Sequence, residues 1–302
     1  MSMYKRLFLV TVIIFVGTML LAAGVFYLFQ RSQRAPKSVE QVPDTRVTII
    51  EGLTNTEVAV SVERQLGISK SVFEQALKNF DTSTYPLIKN KPAKSSLEGF
   101  LFPDTYLFAP TSTAEEVIER MVDGFELRFE QAQGDLKPNA NGVYSIPGYE
   151  NLSINGKRGL TVYELVTLAS IIERETGRDV SKGTADSRER LDTERRTVAG
   201  IFYNRLAIGQ ALQSDATINY ATGKRVAAPS LEDLDIESLY NTYDHAGLPP
   251  GPISNPSLSS LEAVLNPIKT NYYYFLHKQP SGEVVYSRNF DEHVRNKNLY
   301  LK

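Results

Sequence analysis

Residues 161–176 read TVYELVTLASIIERET. Thr161 followed three residues later by Glu164 is a capping box, in which each side chain serves the other's backbone N–H at a helix start. Val162, Leu165, Val166, Ala169 and Ile172 then recur at helical spacing and form a core-facing stripe. Two carboxylates close the helix, Glu173 and Glu175. Positions two apart point roughly 200° away from each other, so a single cleft receives at most one of them. Glu173 falls at the edge of the apolar stripe, whereas Glu175 falls on the other side, near Leu168 and Ile171. Periodicity by itself nominates Glu173 as a desolvated acid with a raised pKa. A glutamate there is equally well explained as the partner of a buried arginine such as Arg205, and spacing leaves both readings open.

Around this helix the pattern is mixed. Thr113 with Glu116 opens a helix bearing Val117, Met121, Phe125 and Phe129 on one side. Another carries Val198, Ile201, Phe202 and Leu206 and stops at Gly209, a good C-terminal glycine. Residues 272–277 and 284–287 read as a hairpin around the turn 279–282. The charged stretch 178–190 reads as an exposed loop. Nearer the N-terminus, residues 47–50 are strand-like and end at Gly52. Capping boxes at Thr54/Glu57 and at Ser71/Glu74 then predict two short helices. The class is α+β.

Composition removes whole function classes. The 302 residues carry a formal net charge of −2, which argues against an electrostatic nucleic-acid binder. With no cysteine, thiol nucleophiles, disulfides and Cys-zinc sites are excluded. His245, His277 and His293 are far apart and show no zinc-protease spacing. No Gly-x-Gly-x-x-Gly, P-loop or Gly-x-Ser-x-Gly signature is present, and no cofactor is expected. Tryptophan is absent, so tyrosine, at 16 residues, would have to supply any flat platform for a sugar ring.

Residues 7–29, LFLVTVIIFVGTMLLAAGVFYLF, contain no charge and are long enough to cross a bilayer as a helix. They predict a retained single-pass anchor rather than a cleaved signal, whose apolar region is shorter. Lys5 and Arg6 on one side nearly balance Arg31, Arg34 and Lys37 on the other, so the charges choose no orientation. The six-residue tail favours a cytoplasmic N-terminus.

The segment 169–176, ASIIERET, resembles the catalytic helix of the MltG/YceG-like endolytic murein transglycosylases. The likeness continues through Glu194, residues 198–199 (VA), 202–206 (FYNRL), Gly209, 212–215 (LQSD), 240–243 (YNTY) and 247–256 (GLPPGPISNP). Upstream, LEGFLFPDTY at 97–106 matches another block of the family. Gln210 and Ala216 depart from it, standing where methionine and proline are common, and the 177–193 loop is longer than typical.

The resemblance implies four parts: a tail and transmembrane helix (1–30), a linker (31–44), a small LysM-like βαα module (45–92) and a larger α+β catalytic domain (93–302). It implies that Glu175 is the catalytic residue, with a pKa above the usual value of about 4.3 through burial against Leu168 and Ile171 under bound sugar. Glu173, Gln213, Asp215, Tyr240 and Asn241 become the substrate-binding or supporting residues. The implied reaction breaks the MurNAc–GlcNAc β-1,4 bond inside a nascent glycan strand and leaves a 1,6-anhydroMurNAc end. The implied partners are peptidoglycan glycan strands, the membrane and peptidoglycan synthases. The implied place is the bacterial inner membrane, with the catalytic domain on the extracytoplasmic side. A non-catalytic, membrane-anchored peptidoglycan-binding scaffold is the rival reading. A cytoplasmic pyridoxal-phosphate lyase would need a Schiff-base lysine in a cofactor site, and nothing in the chain resembles one.

Overall fold

The computed structural model describes residues 3, 15–26, 28, 43–154, 156–176 and 185–301. The chain divides into two units, Met1–Pro43 and Asp44–Lys302. In the first, residues 15–26 are helical. Among the described residues no helix is long and apolar enough to cross a membrane. Of the span expected over 7–29, residues 7–14, 27 and 29 lie outside the described residues, as do residues 31–42 of the linker expected over 31–44.

The second unit begins with β1 (Thr45–Thr48), paired antiparallel with β2 (Thr105–Phe108) so that Val47 faces Tyr106. Between them come α1 (Asn55–Leu66) and α2 (Lys70–Asn79). Thr54 and Glu57 form the expected capping box, and Gly67 at φ 74° closes α1. The second helix starts differently from expectation. Its N-cap is Ser69, which has extended backbone and accepts the Val72 N–H, so Ser71 lies inside the first turn. The strand that completes this βααβ arrangement, β2, belongs to the stretch expected in the larger domain, and residues 44–302 form one compact unit.

Helix α3 (Ala114–Gln133) opens on the Thr113/Glu116 box and buries Val117, Met121, Phe125 and Phe129. Phe125 packs edge-on against Phe100 at 4.9 Å between ring centroids. Two-residue strands β3 (Val143–Tyr144), β4 (Ser153–Ile154), β5 (Lys157–Arg158) and β6 (Leu160–Thr161) form two small ladders, β3 with β6 and β4 with β5. Strand β6 runs straight into α4 (Val162–Thr176), where Thr161 and Glu164 exchange the hydrogen bonds of the predicted box.

Next come α5 (Ala185–Ala207), α6 (Asp215–Thr222), α7 (Leu231–Leu234), α8 (Leu258–Leu265), β7 (Tyr274–His277), β8 (Val284–Ser287) and α9 (Phe290–Tyr300). Helix α8 packs against α3, α4 and α5 and α6 packs against α4. Enclosed in this way, α4 has no solvent stripe along its middle: Leu165, Val166, Leu168, Ala169, Ile171 and Ile172 are all fully buried. Each of its buried Leu, Ile and Val side chains stabilises the fold by about 1.5–3 kcal/mol.

The charged run expected as a loop over 178–190 is helical from Ala185 onward, while residues 177–184 lie outside the described residues. Its residues 188–190 stand in solvent, so the start of α5 needs no apolar face. Burial becomes continuous only from 197 on.

Candidate active site

Glu175 sits on the last turn of α4, half-buried. Its Oε1 accepts the Ser214 hydroxyl at 2.5 Å and the Ala216 backbone N–H at 3.2 Å. Ser214 occupies the N-cap position of α6, yet its side chain makes no capping bond. An N-cap oxygen ordinarily accepts the N–H of the second or third helical residue. Here the carboxylate of another helix takes that N–H, and the serine hydroxyl points at the carboxylate. The positive end of the α6 dipole further favours a negative group in this place.

The loop preceding α6 is shaped for this contact. Gln213 is exposed and adopts φ 50°, a left-handed conformation uncommon for a side chain of this kind. Its N–H donates to the Thr242 carbonyl at 2.9 Å, and the Ser214 N–H donates to Thr242 Oγ1 at 3.0 Å. Thr217 and Thr242 share a hydroxyl contact of 2.8 Å beneath them. Beside Glu175, Asp215 Oδ1 accepts the Tyr243 hydroxyl at 2.6 Å. Burial, then the carboxylates of Asp215 and Glu175, push the Tyr243 phenol well up, so it stays a proton donor.

Glu173 is placed quite otherwise. It is 5 % exposed and pairs with Arg195 at 2.8 Å. Its second oxygen accepts from the Ser257 N–H at 3.0 Å and from the hydroxyls of Ser257 and Ser260 at 2.5 and 2.8 Å. A carboxylate with this many donors is a knot between α4, α5 and the start of α8. The arginine paired with Glu173 is Arg195, not Arg205, although both are buried. Arg205 donates to the carbonyls of Tyr273 at 2.6 Å and Leu212 at 2.7 Å, and its guanidinium lies 4.8 Å from the Tyr274 ring centroid. It therefore ties the loop before Ser214 to the β7–β8 hairpin.

Glu175, Gln213, Ser214, Asp215 and Tyr243 line one cleft of about 1310 Å³, which extends to the β7–β8 hairpin and to α9. That volume exceeds the usual 300–1,000 Å³ of a small-molecule pocket and suits a polymer. Leu168 and Ile171 do not line it, because protein covers both. The apolar surroundings expected for Glu175 are thus replaced by the donors of α6. Among the described residues no group of histidines and carboxylates is arranged to hold a metal ion.

Tyr240 and Asn241 stand apart from the cleft. Tyr240 packs on Tyr220 at 4.9 Å, and burial with nearby Tyr163 and Glu98 pushes its phenol up to about 12. Asn241 is 1 % exposed and donates to the Leu234 and Ile236 carbonyls and to Asp244. It shapes the loop that presents Thr242 and Tyr243. Sequence reasoning passed over Ser214, Tyr243 and Arg205 as site residues, although each lies inside a stretch singled out above. Their neighbours in space come from distant parts of the chain, and no local spacing reports that.

The chain matches the model of the YceG-like family over residues 6–299. It is 34% identical over 267 residues to an endolytic murein transglycosylase of Bacillus subtilis, covering 85% of this chain and 65% of that protein. An endolytic murein transglycosylase of Streptococcus pneumoniae is 31% identical over 271 residues, 83% of this chain and 43% of its own. The chain thus spans less than two thirds of either relative. A solved YceG-like protein of Listeria monocytogenes superposes with a TM-score of 0.63 at 30% identity, covering 84% of this chain and 76% of that one.

Proposed function

Because the chain belongs to the YceG-like family, we propose that it is an endolytic peptidoglycan transglycosylase and that Glu175 is its acid and base. The observation that carries this reading is the placement of Glu175: one oxygen held by Ser214 and the Ala216 N–H, on the wall of a polymer-sized cleft.

Protonated Glu175 gives its proton to the glycosidic oxygen as the bond from MurNAc C1 to that oxygen breaks. The resulting carboxylate then takes the proton of the MurNAc C6 hydroxyl as O6 bonds to C1. The products are a 1,6-anhydroMurNAc end and a free hydroxyl on the departing GlcNAc. No water enters, and Glu175 returns to its starting state. A glycosidase that uses water needs a second carboxylate; here the substrate brings its own nucleophile. Holding Oε1 in a fixed place keeps the reacting atoms near attack distance. Gln213, Asp215 and Tyr243 are placed to bind the acetamido and hydroxyl groups of the strand. Glu173 supports the helix end without touching substrate.

The rest of the reading follows the family. Residues 7–29 anchor the chain as a single span in the bacterial inner membrane, residues 45–92 supply the first strand and two helices of a LysM-like module that β2 completes from within the catalytic stretch 93–302, and this domain works on the outer side on nascent strands beside the synthases. The test is digestion of purified peptidoglycan by the wild type and by Glu175→Gln, with products read by mass spectrometry. Internal fragments with anhydro ends from the wild type alone support the proposal. Reducing ends would mean hydrolysis, and activity retained by Glu175→Gln would remove Glu175 from its role. A folded wild type without products would favour the scaffold reading.

A further inference from the structure

Helix α9 follows the β7–β8 hairpin, and each of its residues is exposed or half-buried. Phe290, His293 and Lys297, at spacings of three and four, share one helical face, Leu301 follows at the C-cap, and all four line the same cleft as Glu175. Phe290 is 61% exposed. Its ring centroid lies 6.0 Å from that of Tyr274, tilted by 57°, and His293 stacks on Tyr274 at 5.1 Å between centroids with 25° between the planes. Arg205, which also reaches the loop before Ser214, supports Tyr274 through its guanidinium. Burial, with Lys297 and Arg205 adding to the effect, lowers the pKa of the His293 imidazole below its usual value. Its Nδ1 is buried with no hydrogen-bond partner among the described residues. Together these form a firmly backed aromatic surface, with one ring left open to whatever fills the cleft.

We propose that this face of α9 is a distal glycan subsite in which Phe290 stacks on a pyranose ring of the strand. The proposal rests on the glycan-cleaving reading above and adds a second contact away from the scissile bond. A ring face offers its π-surface to the C–H groups of a sugar without selecting any hydroxyl pattern. Such a contact suits a cleft through which a repeating polymer has to be accepted in more than one register. Short strands that reach only Glu175 leave it unused, whereas long strands engage both places.

The experiment measures affinity of the full chain in detergent, carrying Glu175→Gln to prevent turnover, for short and for long peptide-free glycan strands by calorimetry. Phe290→Ala and Phe290→Tyr are compared in this background; an exposed position is a safe one for both. The expected result is a fall of roughly three- to tenfold in the long-to-short affinity ratio for Phe290→Ala and its recovery in Phe290→Tyr. An unchanged ratio in Phe290→Ala overturns the subsite, and so does an equal loss for both lengths. If strands bind but wild type cuts none, the reaction fails while this ratio still decides the subsite. If no strand binds at all, both fail.

Discussion

The hydroxyl of Ser214 stands 2.5 Å from Oε1 of Glu175, although 39 positions separate them in the chain. Removing it should disturb the reaction more than the fold. Ser214→Ala leaves the Ala216 N–H as a donor but frees the carboxyl to rotate, and a hydrogen bond to a charged group contributes about 1.5–3 kcal/mol. The turnover rate should fall roughly tenfold or more, and the thermal midpoint by only a few degrees, about 2–4 °C per kcal/mol. Ser214→Thr, which keeps the hydroxyl, should recover much of the loss. Steady-state kinetics beside a melting curve checks both halves.

Glu173 should behave in the opposite manner. Glu173→Ala strands the buried guanidinium of Arg195 and three donors of the Ser257–Ser260 turn. Breaking a buried pair by removing one partner costs about 3–5 kcal/mol. Denaturant unfolding should show that loss, while Glu175→Gln, at a half-exposed position, should unfold close to the wild type. Equal stability of Glu173→Ala and wild type would refute the knot between α4, α5 and α8.

A third prediction concerns pH. Glu98 is 7% exposed, and burial pushes its carboxyl up from 4.5 to about 8 although the Asn55 N–H donates to it at 2.9 Å. Between those two values the folded state holds a proton that the unfolded state has released, so stability falls as pH rises through this window. The full drop would approach about 5 kcal/mol as an upper figure. Glu98→Gln keeps an acceptor for Asn55 and cannot ionise. Its stability should therefore be flatter than that of the wild type across this window, as measured by unfolding at a series of pH values.

Gly99 is required on two counts. Its φ is +89°, and a Cβ there would lie 2.6 Å from Pro252 and 2.7 Å from Val166. Gly99→Ala should separate the 97–102 segment from α4 and from the 250–256 loop. A loss of several kcal/mol, from left-handed strain plus overpacking, should appear as a large fall in melting temperature.

What could be read in advance was what is local. The boxes Thr54/Glu57, Thr113/Glu116 and Thr161/Glu164 join residues three apart, and each occurs where the spacing places it. The partner of Glu173 could not be read in this way. Arg195 and Arg205 lie on one helix ten residues apart, about 15 Å along its axis, and only the crossing of α5 over α4 selects between them. The same holds for the donors to Glu175. Ser214 precedes a helix and sits at its N-cap position, but its hydroxyl is drawn away by a carboxylate from another helix. Tyr240 and Asn241 belong to the same matched block as Tyr243, but the turn sends only Tyr243 toward the cleft.

The two acids that close α4 are clamped from different directions, Glu173 by serines at the start of α8 and Glu175 by the first turn of α6. One wall of the cleft is thus fastened to the reactive group itself. Drawing α6 outward to widen the opening would pull Ser214 and the Ala216 N–H off Glu175. Any shift of α6 away from α4 would therefore change the support of Glu175 and the wall of the cleft together.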